Sequence, residues 1–244
     1  LDRALQYAGL WGVEAVELRT VGGAGERVPF VNEKKLRRRL EEREFDAAAI
    51  VPGVFEGAAT DRVARLNEVV ALRETLDFAA RIGCPLVVVS AFAADEFDAD
   101  QAVDVLRRAG DAAARAGRTL AVLNEIDSAH PTGVALAGLL ERADHPHVRA
   151  AWSPADALQS GEDPADGLAA LGARVALVRY RDGQGRGEAW EDVLPGEGQV
   201  DWAAQFAALR GQGFEGAVSL DLRVAPKPKT GVRAVATLVA ALRA

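Results

Sequence analysis

The sequence predicts a parallel α/β barrel of the TIM (β/α)8 type, on three observations. Short apolar runs turn charged only at their C-terminal ends, as in Val175-Ala-Leu-Val-Arg-Tyr-Arg-Asp182. A parallel strand covered on both faces is apolar throughout, and charge at its carboxyl end marks the face where such barrels keep their sites. The runs alternate with helical stretches, which calls for a parallel sheet. Their starts recur every 27 to 41 residues or so, the size of one βαβ unit.

The chain opens on a helical stripe of Leu1, Leu5, Ala8 and Leu10. Strand-like runs follow at 13–19, 47–52, 86–91, 119–124, 148–153, 175–180 and 216–222, mostly apolar. Between them, spacings of three and four put Val63, Leu66, Val69, Val70 and Leu76 on one helix face. Val103, Leu106 and Ala113 share another, behind the acidic start Asp98-Ala-Asp100, and Val232, Val235, Leu238, Val239 and Leu242 form the last. Seven strands are visible where a closed barrel needs eight, and the eighth would precede Leu1. With no Met anywhere, the expectation is a chain that starts inside a longer one, its first strand absent or lost. If that strand is lost, the run at 13–19 leaves an open edge. No linker or shift of composition interrupts residues 1–244, which predicts one domain.

A hydrophobic content of 49% over 244 residues supports a sizeable core, and no apolar run approaches a membrane span. The net charge of −7 argues against nucleic acid or an anionic membrane as partner. Cys84 stands alone, which excludes a disulfide framework and a cysteine zinc site and places the chain in a reducing cytoplasm. There is no nucleophile elbow, phosphate-binding Gly-Lys loop or dinucleotide turn. Gly22-Gly-Ala-Gly25 is a glycine-rich βα loop, weak as a phosphate site, and Lys34, Lys35 and Arg37 to Arg39 read as the outer face of a helix.

Five stretches carry a resemblance: Gly12-Val-Glu-Ala-Val-Glu-Leu-Arg19, Asp144-His-Pro-His-Val148, Ala151-Trp-Ser-Pro-Ala-Asp156, Gly161-Glu-Asp-Pro164 and Gly196-Glu-Gly-Gln-Val-Asp-Trp202. Together they resemble the xylose isomerase-like barrels, the sugar phosphate isomerases and epimerases, whose superfamily also holds endonuclease-IV-type repair enzymes. The likeness runs over almost the whole chain. Its most specific piece is the last stretch, followed by Gly213-Phe-Glu-Gly216 and a strand. The resemblance implies a divalent metal at the mouth of the barrel, held by Glu, Asp, His and Glu. It also implies proton transfer between neighbouring sugar carbons through an enediol.

Placed on that pattern, Leu123 stands where the first Glu belongs, Ser153 for the Asp, Arg179 for the His and Asp221 for the last Glu. One anionic ligand of four survives and one position has become cationic. A hard ion needs several oxygen or nitrogen ligands, so the expectation is no metal at the usual place. The alternative is Mn or Mg at a displaced site of Glu125, Asp156 and Asp221.

Arg179 either stands in for the lost cation, pairing with Asp221 and offering donors to a ligand oxyanion, or closes a structural ion pair. Glu125 lies two residues past Leu123 on the same interior side, as a displaced acid/base or a solvated charge. Glu17 and Arg19 share a face and reach the ligand or each other. Arg181 falls on the side of Arg179 by alternation, and two arginines aimed together suggest an anionic ligand. Asn124, Ser153 and Asp156 complete the expected substrate-binding set. Asp182 faces away, to cap or pair in its loop. Trp152 and Tyr180 read as packing, and His145-Pro-His147 as residues of the opposite, stability face. His130 sits in a βα loop, and Lys227-Pro-Lys229 reads as a stiff loop suited to an anion.

The expected function is a sugar (phosphate) isomerase/epimerase-like protein acting on or binding a small carbohydrate-type ligand. Glu125 and Asp221 are the acid/base candidates and Arg179 the electrophilic stabiliser. The alternative is a non-catalytic descendant that binds a sugar-like or anionic ligand or serves as a scaffold. Homo-oligomer formation stays open.

Overall fold

The apolar runs become strands β1 (Ala15–Leu18), β2 (Asp46–Ile50), β3 (Leu86–Ser90), β4 (Thr119–Leu123), β5 (Val148–Trp152), β6 (Val175–Tyr180) and, after a hairpin, β9 (Ala217–Leu220). The computed structural model describes residues 1–21, 26–57, 62–95 and 97–244; the glycine run 22–25 lies outside them. The seven strands are parallel, in the order β1-β2-β3-β4-β5-β6-β9. Helices α1 (Asp2–Leu10), α2 (Glu33–Glu41), α3 (Arg62–Arg81), α4 (Ala99–Ala116), α5 (Gly133–Ala143), α6 (Pro154–Gln159), α7 (Pro164–Leu171), α8 (Trp202–Gly211) and α9 (Lys227–Arg243) cover the outside. This is a nearly closed barrel, one strand short of eight: β1 and β9 are its two edges, and no ladder joins them.

Strand alternation divides the core in two. Ala49, Leu86, Val88, Ala121, Leu123, Ala151 and Leu177 fill the barrel interior. The intervening residues, such as Ile50, Val87, Val89, Leu120, Val122 and Val178, pack outward on the helices. Small residues inside leave the strand ends free to carry longer polar side chains. The helices start on caps written in the sequence: Asp98 for α4, Thr132 for α5, Ser153 for α6, Asp163 for α7 and Asp201 for α8. Among the described residues no helix is long and apolar enough to cross a membrane.

Two helix faces depart from the sequence expectation. In α3, Leu76 is buried as expected, but Val63 and Val70 of the same stripe are exposed, and Leu72, Phe78 and Ala79 are buried instead. In α9, Val232, Val239 and Leu242 face solvent while Thr230, Gly231 and Ala234 are buried. The cause is a close approach: a Cβ on Gly231 would lie 2.1 Å from the Trp11 ring, so small residues form the contact face. Lys227-Pro-Lys229 is the first turn of α9 rather than a loop; proline is pre-set for that position. Leu10 in α1 is exposed as well. The segment after β6 forms an antiparallel hairpin of β7 (Asp182–Gln184) and β8 (Glu191–Val193), which the sequence reading did not foresee.

Candidate functional site at the barrel mouth

The C-terminal strand ends place three expected residues together. Arg179 Nη2 donates to Glu17 Oε1 at 2.7 Å, and its Nη1 lies 3.9 Å from Asp221 Oδ2. Arg223 closes on the same Asp221 oxygen at 3.1 Å. Glu17 belongs to β1 and Asp221 follows β9, so the guanidinium spans the two unpaired edges. Arg179 Nε and Glu17 Oε2 are buried with no hydrogen-bond partner. A donor and an acceptor on one ion pair are thus left unsatisfied.

Glu125 sits on the next wall, half-buried past the end of β4, and accepts a hydrogen bond from the Ser90 hydroxyl at 2.9 Å. Burial pushes its carboxyl above the ordinary glutamate range, helped by the Asp156 and Glu56 charges; the Ser90 bond and the Arg179 charge oppose the shift. A carboxyl raised in this way suits an acid/base role. Arg19 does not pair with Glu17. It reaches Glu56 at 3.4 Å, and Arg27 joins the same oxygen at 3.2 Å. Sequence reasoning missed Ser90, Glu56, Arg27 and Arg223. Only Ser90, polar at the end of an apolar strand, carried a signal.

The rest of the expected binding set forms a second cluster around Arg181, where α6 and the β7–β8 hairpin leave the strand ends. Asn124 is fully buried: its amide donates to the carbonyls of Pro131 and Ser153 and accepts from Ser153 N–H. Ser153 caps α6 and bonds the Asp156 carboxylate. Asp156 accepts from Arg181 Nη1 at 2.7 Å, and Arg181 Nε donates to Asp192 at 2.8 Å. Arg181 is 3% exposed and lies against the Trp190 ring. The sequence expectation that Arg181 and Arg179 aim together at an anion is not met. The strand ends at Tyr180, where Arg181 N–H turns back to the Arg179 carbonyl, so alternation no longer governs the side chain.

At the four positions that the resemblance assigns to metal ligands stand Leu123, Ser153, Arg179 and Asp221. One is apolar, one is a buried hydroxyl committed to a carboxylate, and one is a cation. Glu125, Asp156 and Asp221 are each engaged by separate partners, and among the described residues no group of three or more His, Cys, Asp or Glu side chains could hold a metal ion. This donor set does not fit a hard divalent ion.

Asp182 explains the most specific stretch of the sequence. It is buried at the start of β7, and its Oδ1 accepts from the N–H groups of Gly183 and Val200. Its Oδ2 accepts from Gly196 N, Gly198 N and Trp202 Nε1. A Cβ on Gly198 would lie 2.1 Å from Asp182 Oδ1, so the Gly196–Trp202 loop needs glycine to wrap the carboxylate. Glu162 plays a matching part: it accepts from Gly133 N and Val134 N at the start of α5, where the helix dipole favours an anion.

The family model for xylose isomerase-like TIM barrels matches residues 5–242. The chain belongs to that family. Solved structures agree on the fold. A xylose isomerase domain protein from Planctomyces limnophilus superposes with a TM-score of 0.78 at 18% identity, covering 98% of this chain and 91% of that one. The Escherichia coli 3-keto-D-glucoside 4-epimerase YcjR gives 0.77 at 18%, with 100% and 94% covered. An L-ribulose 3-epimerase gives 0.81 at 15%, with 99% and 88% covered. No curated protein matches the chain.

The other residues singled out in this family member have structural places. Trp152 and Tyr180 are buried; Trp152 Nε1 donates to Gln205, and Tyr180 packs on Trp202 and bonds Thr237. His147 bonds the Arg118 carbonyl and His145 faces Asp111, at the N-terminal end of β5. His130 is buried edge-on against Phe97, and burial lowers its pKa. Burial lifts the Cys84 thiol to about 11, far from a reactive thiolate. A cavity of about 750 Å³ opens on the opposite, N-terminal face, between Leu86, Thr119, Val175 and the Phe214 loop, and no mouth residue lines it.

Proposed function

We propose that this barrel binds a small carbohydrate-type ligand at its C-terminal mouth and moves a proton on it without the family's divalent metal. The observation that carries the reading is a guanidinium fixed by Glu17, Arg179, whose charge acts on a half-buried carboxyl of raised pKa, Glu125. Glu125 takes the proton from a carbon beside a carbonyl and returns it to the adjacent carbon, or Asp221 delivers a proton to the opposite face of the enediolate. Arg179 stabilises the negative charge that develops on the enediolate oxygen. Asp221, three strands round the sheet from β4, is the second acid/base candidate; Glu17 holds the guanidinium in place. Two fold neighbours are sugar epimerases by name, which accords with this class of chemistry.

The test is exchange of solvent deuterium into a panel of ketoses, cyclitol ketones, sugar acids and sugar phosphates, followed by proton NMR in the presence of EDTA. Exchange into at least one compound is expected. Glu125→Gln should slow it by about 10²-fold or more, the usual worth of a positioned acid/base. Exchange that appears only with added metal would refute the reading. Thermal stabilisation by a ligand with no exchange would favour the non-catalytic binder instead, consistent with the loss of three family ligand positions.

A further inference from the structure

We infer that the N-terminal end of the barrel holds a second ligand site, built for an apolar monocarboxylate. It is separate from the mouth and independent of the chemistry there.

The cavity follows from the residues at the strand starts. In a filled barrel, layers of inward side chains close the bore. Leu86, Thr119 and Arg149 stand on the interior side of β3, β4 and β5, in step with Val88, Ala121 and Ala151. Across from them come only Ala48 of β2, Ala176 of β6 and Ala217 of β9. Alanines are too short to meet the facing wall, and about 750 Å³ stays open. That is the size of a small-molecule site. Pro85, Val175 and Phe214 add apolar wall. β1 contributes no lining residue, so the space is the end of the bore rather than the open seam.

Arg149 supplies the charge. Its Nε donates to the Arg174 carbonyl at 3.2 Å, and its Nη2 donates to the carbonyls of Ala173 and Val175. These bonds fix the guanidinium against the turn that follows α7. All three acceptors are neutral, and no carboxylate among the described residues pairs with it. Nη1 makes no hydrogen bond and, unlike Nε of Arg118 and Arg179, is not closed off from solvent. Half-buried and lining the cavity, this free end offers a charge-assisted bond to one anionic oxygen. The Thr119 hydroxyl, on the adjacent strand and bound to no described residue, is a second donor. A single negative charge suits the place. The carbonyl oxygens on the same guanidinium, and Glu215 at the exposed rim, oppose a second one, and the apolar wall gives a phosphate nothing to bond.

The experiment is calorimetry with phenylacetate and hexanoate, each against its neutral amide, and with inorganic phosphate. The proteins are the wild type, Arg149→Gln and Ala217→Leu. In the wild type each acid should bind about tenfold or more tightly than its amide, the worth of a hydrogen bond to a charged group, and more tightly than phosphate. Arg149→Gln should bring acid and amide level. Ala217→Leu leaves Arg149 in place and fills the space opposite, and should weaken both acids by about tenfold or more. It carries the test if Arg149→Gln fails to fold. Equal binding of acid and amide by the wild type, tighter binding of phosphate, or no binding of any compound would overturn the inference. So would acids that bind Ala217→Leu at full strength, since they would then sit elsewhere, the mouth included. None of these outcomes bears on solvent exchange at the mouth, so the two readings fail separately.

Discussion

Asp182→Asn should destabilise the fold severely, with no ligand involved. Five donors converge on the native carboxylate, two on Oδ1 and three on Oδ2. An asparagine keeps one carbonyl oxygen. Whichever way the amide turns, at least two N–H groups lose their acceptor and meet a donor instead. Hydrogen bonds to a charged group are worth about 1.5–3 kcal/mol each, and an orphaned buried donor costs about 1–3 kcal/mol. Partial relaxation of the Gly196–Trp202 loop offsets some of this, leaving a loss of about 3–5 kcal/mol. For a chain of this length each kcal/mol moves Tm by about 2–4 °C, so the midpoint should fall on the order of 10 °C. Urea unfolding followed by circular dichroism gives the free energy, and tryptophan fluorescence reports on Trp202. A loss below about 1 kcal/mol would mean that the carboxylate is not the anchor of that loop.

Three further outcomes are expected. Arg179→Met strands Glu17, while Asp221 keeps Arg223, and should cost about 2–4 kcal/mol in urea unfolding; adding Glu17→Gln should recover part of it, and simple additivity would deny the coupling. Glu125 has a raised folded pKa, so its protonated form favours folding and its contribution is lost as pH rises through that value. The stability of Glu125→Gln relative to wild type should therefore climb above the ordinary glutamate range, and a difference flat from pH 4 to 8 would contradict the assigned burial. Gly167→Ala places a Cβ 2.3 Å from Glu162 Oε2 and 2.7 Å from the Trp152 ring, pushing the carboxylate off the start of α5. A loss of about 1–3 kcal/mol is expected, and a neutral thermal melt would rule it out.

The strands were legible because a buried parallel strand leaves little choice of residue: β3 is buried at every position, and its sequence is apolar up to Ser90. The inward side of the strands was legible too: Leu123 and Arg179 stand inside the barrel, as alternation along β4 and β6 requires. Alternation failed two residues later, at Arg181, because the strand had ended at Tyr180. Helix faces were less legible. The branched residues Val63, Val70 and Val232 suggest core, yet where helices meet closely the contact goes to Gly231 and Ala234. The β7–β8 hairpin is polar and glycine-rich, and only the antiparallel ladder turns it into structure. Glu56 and Arg27 lie in loops with no periodicity, so nothing in the sequence tied them to Arg19.

The reach of Arg179 from β6 to both edge strands has a mechanical consequence. No backbone ladder joins β1 to β9, so side chains alone close the gap: Arg179 on Glu17 and Asp221 at the strand ends, and Trp11 against Gly231. Strain should part this seam before any laddered pair of strands. In hydrogen exchange, β1 and β9 should lose protection before β3, β4 and β5, as a laced edge gives way before woven cloth.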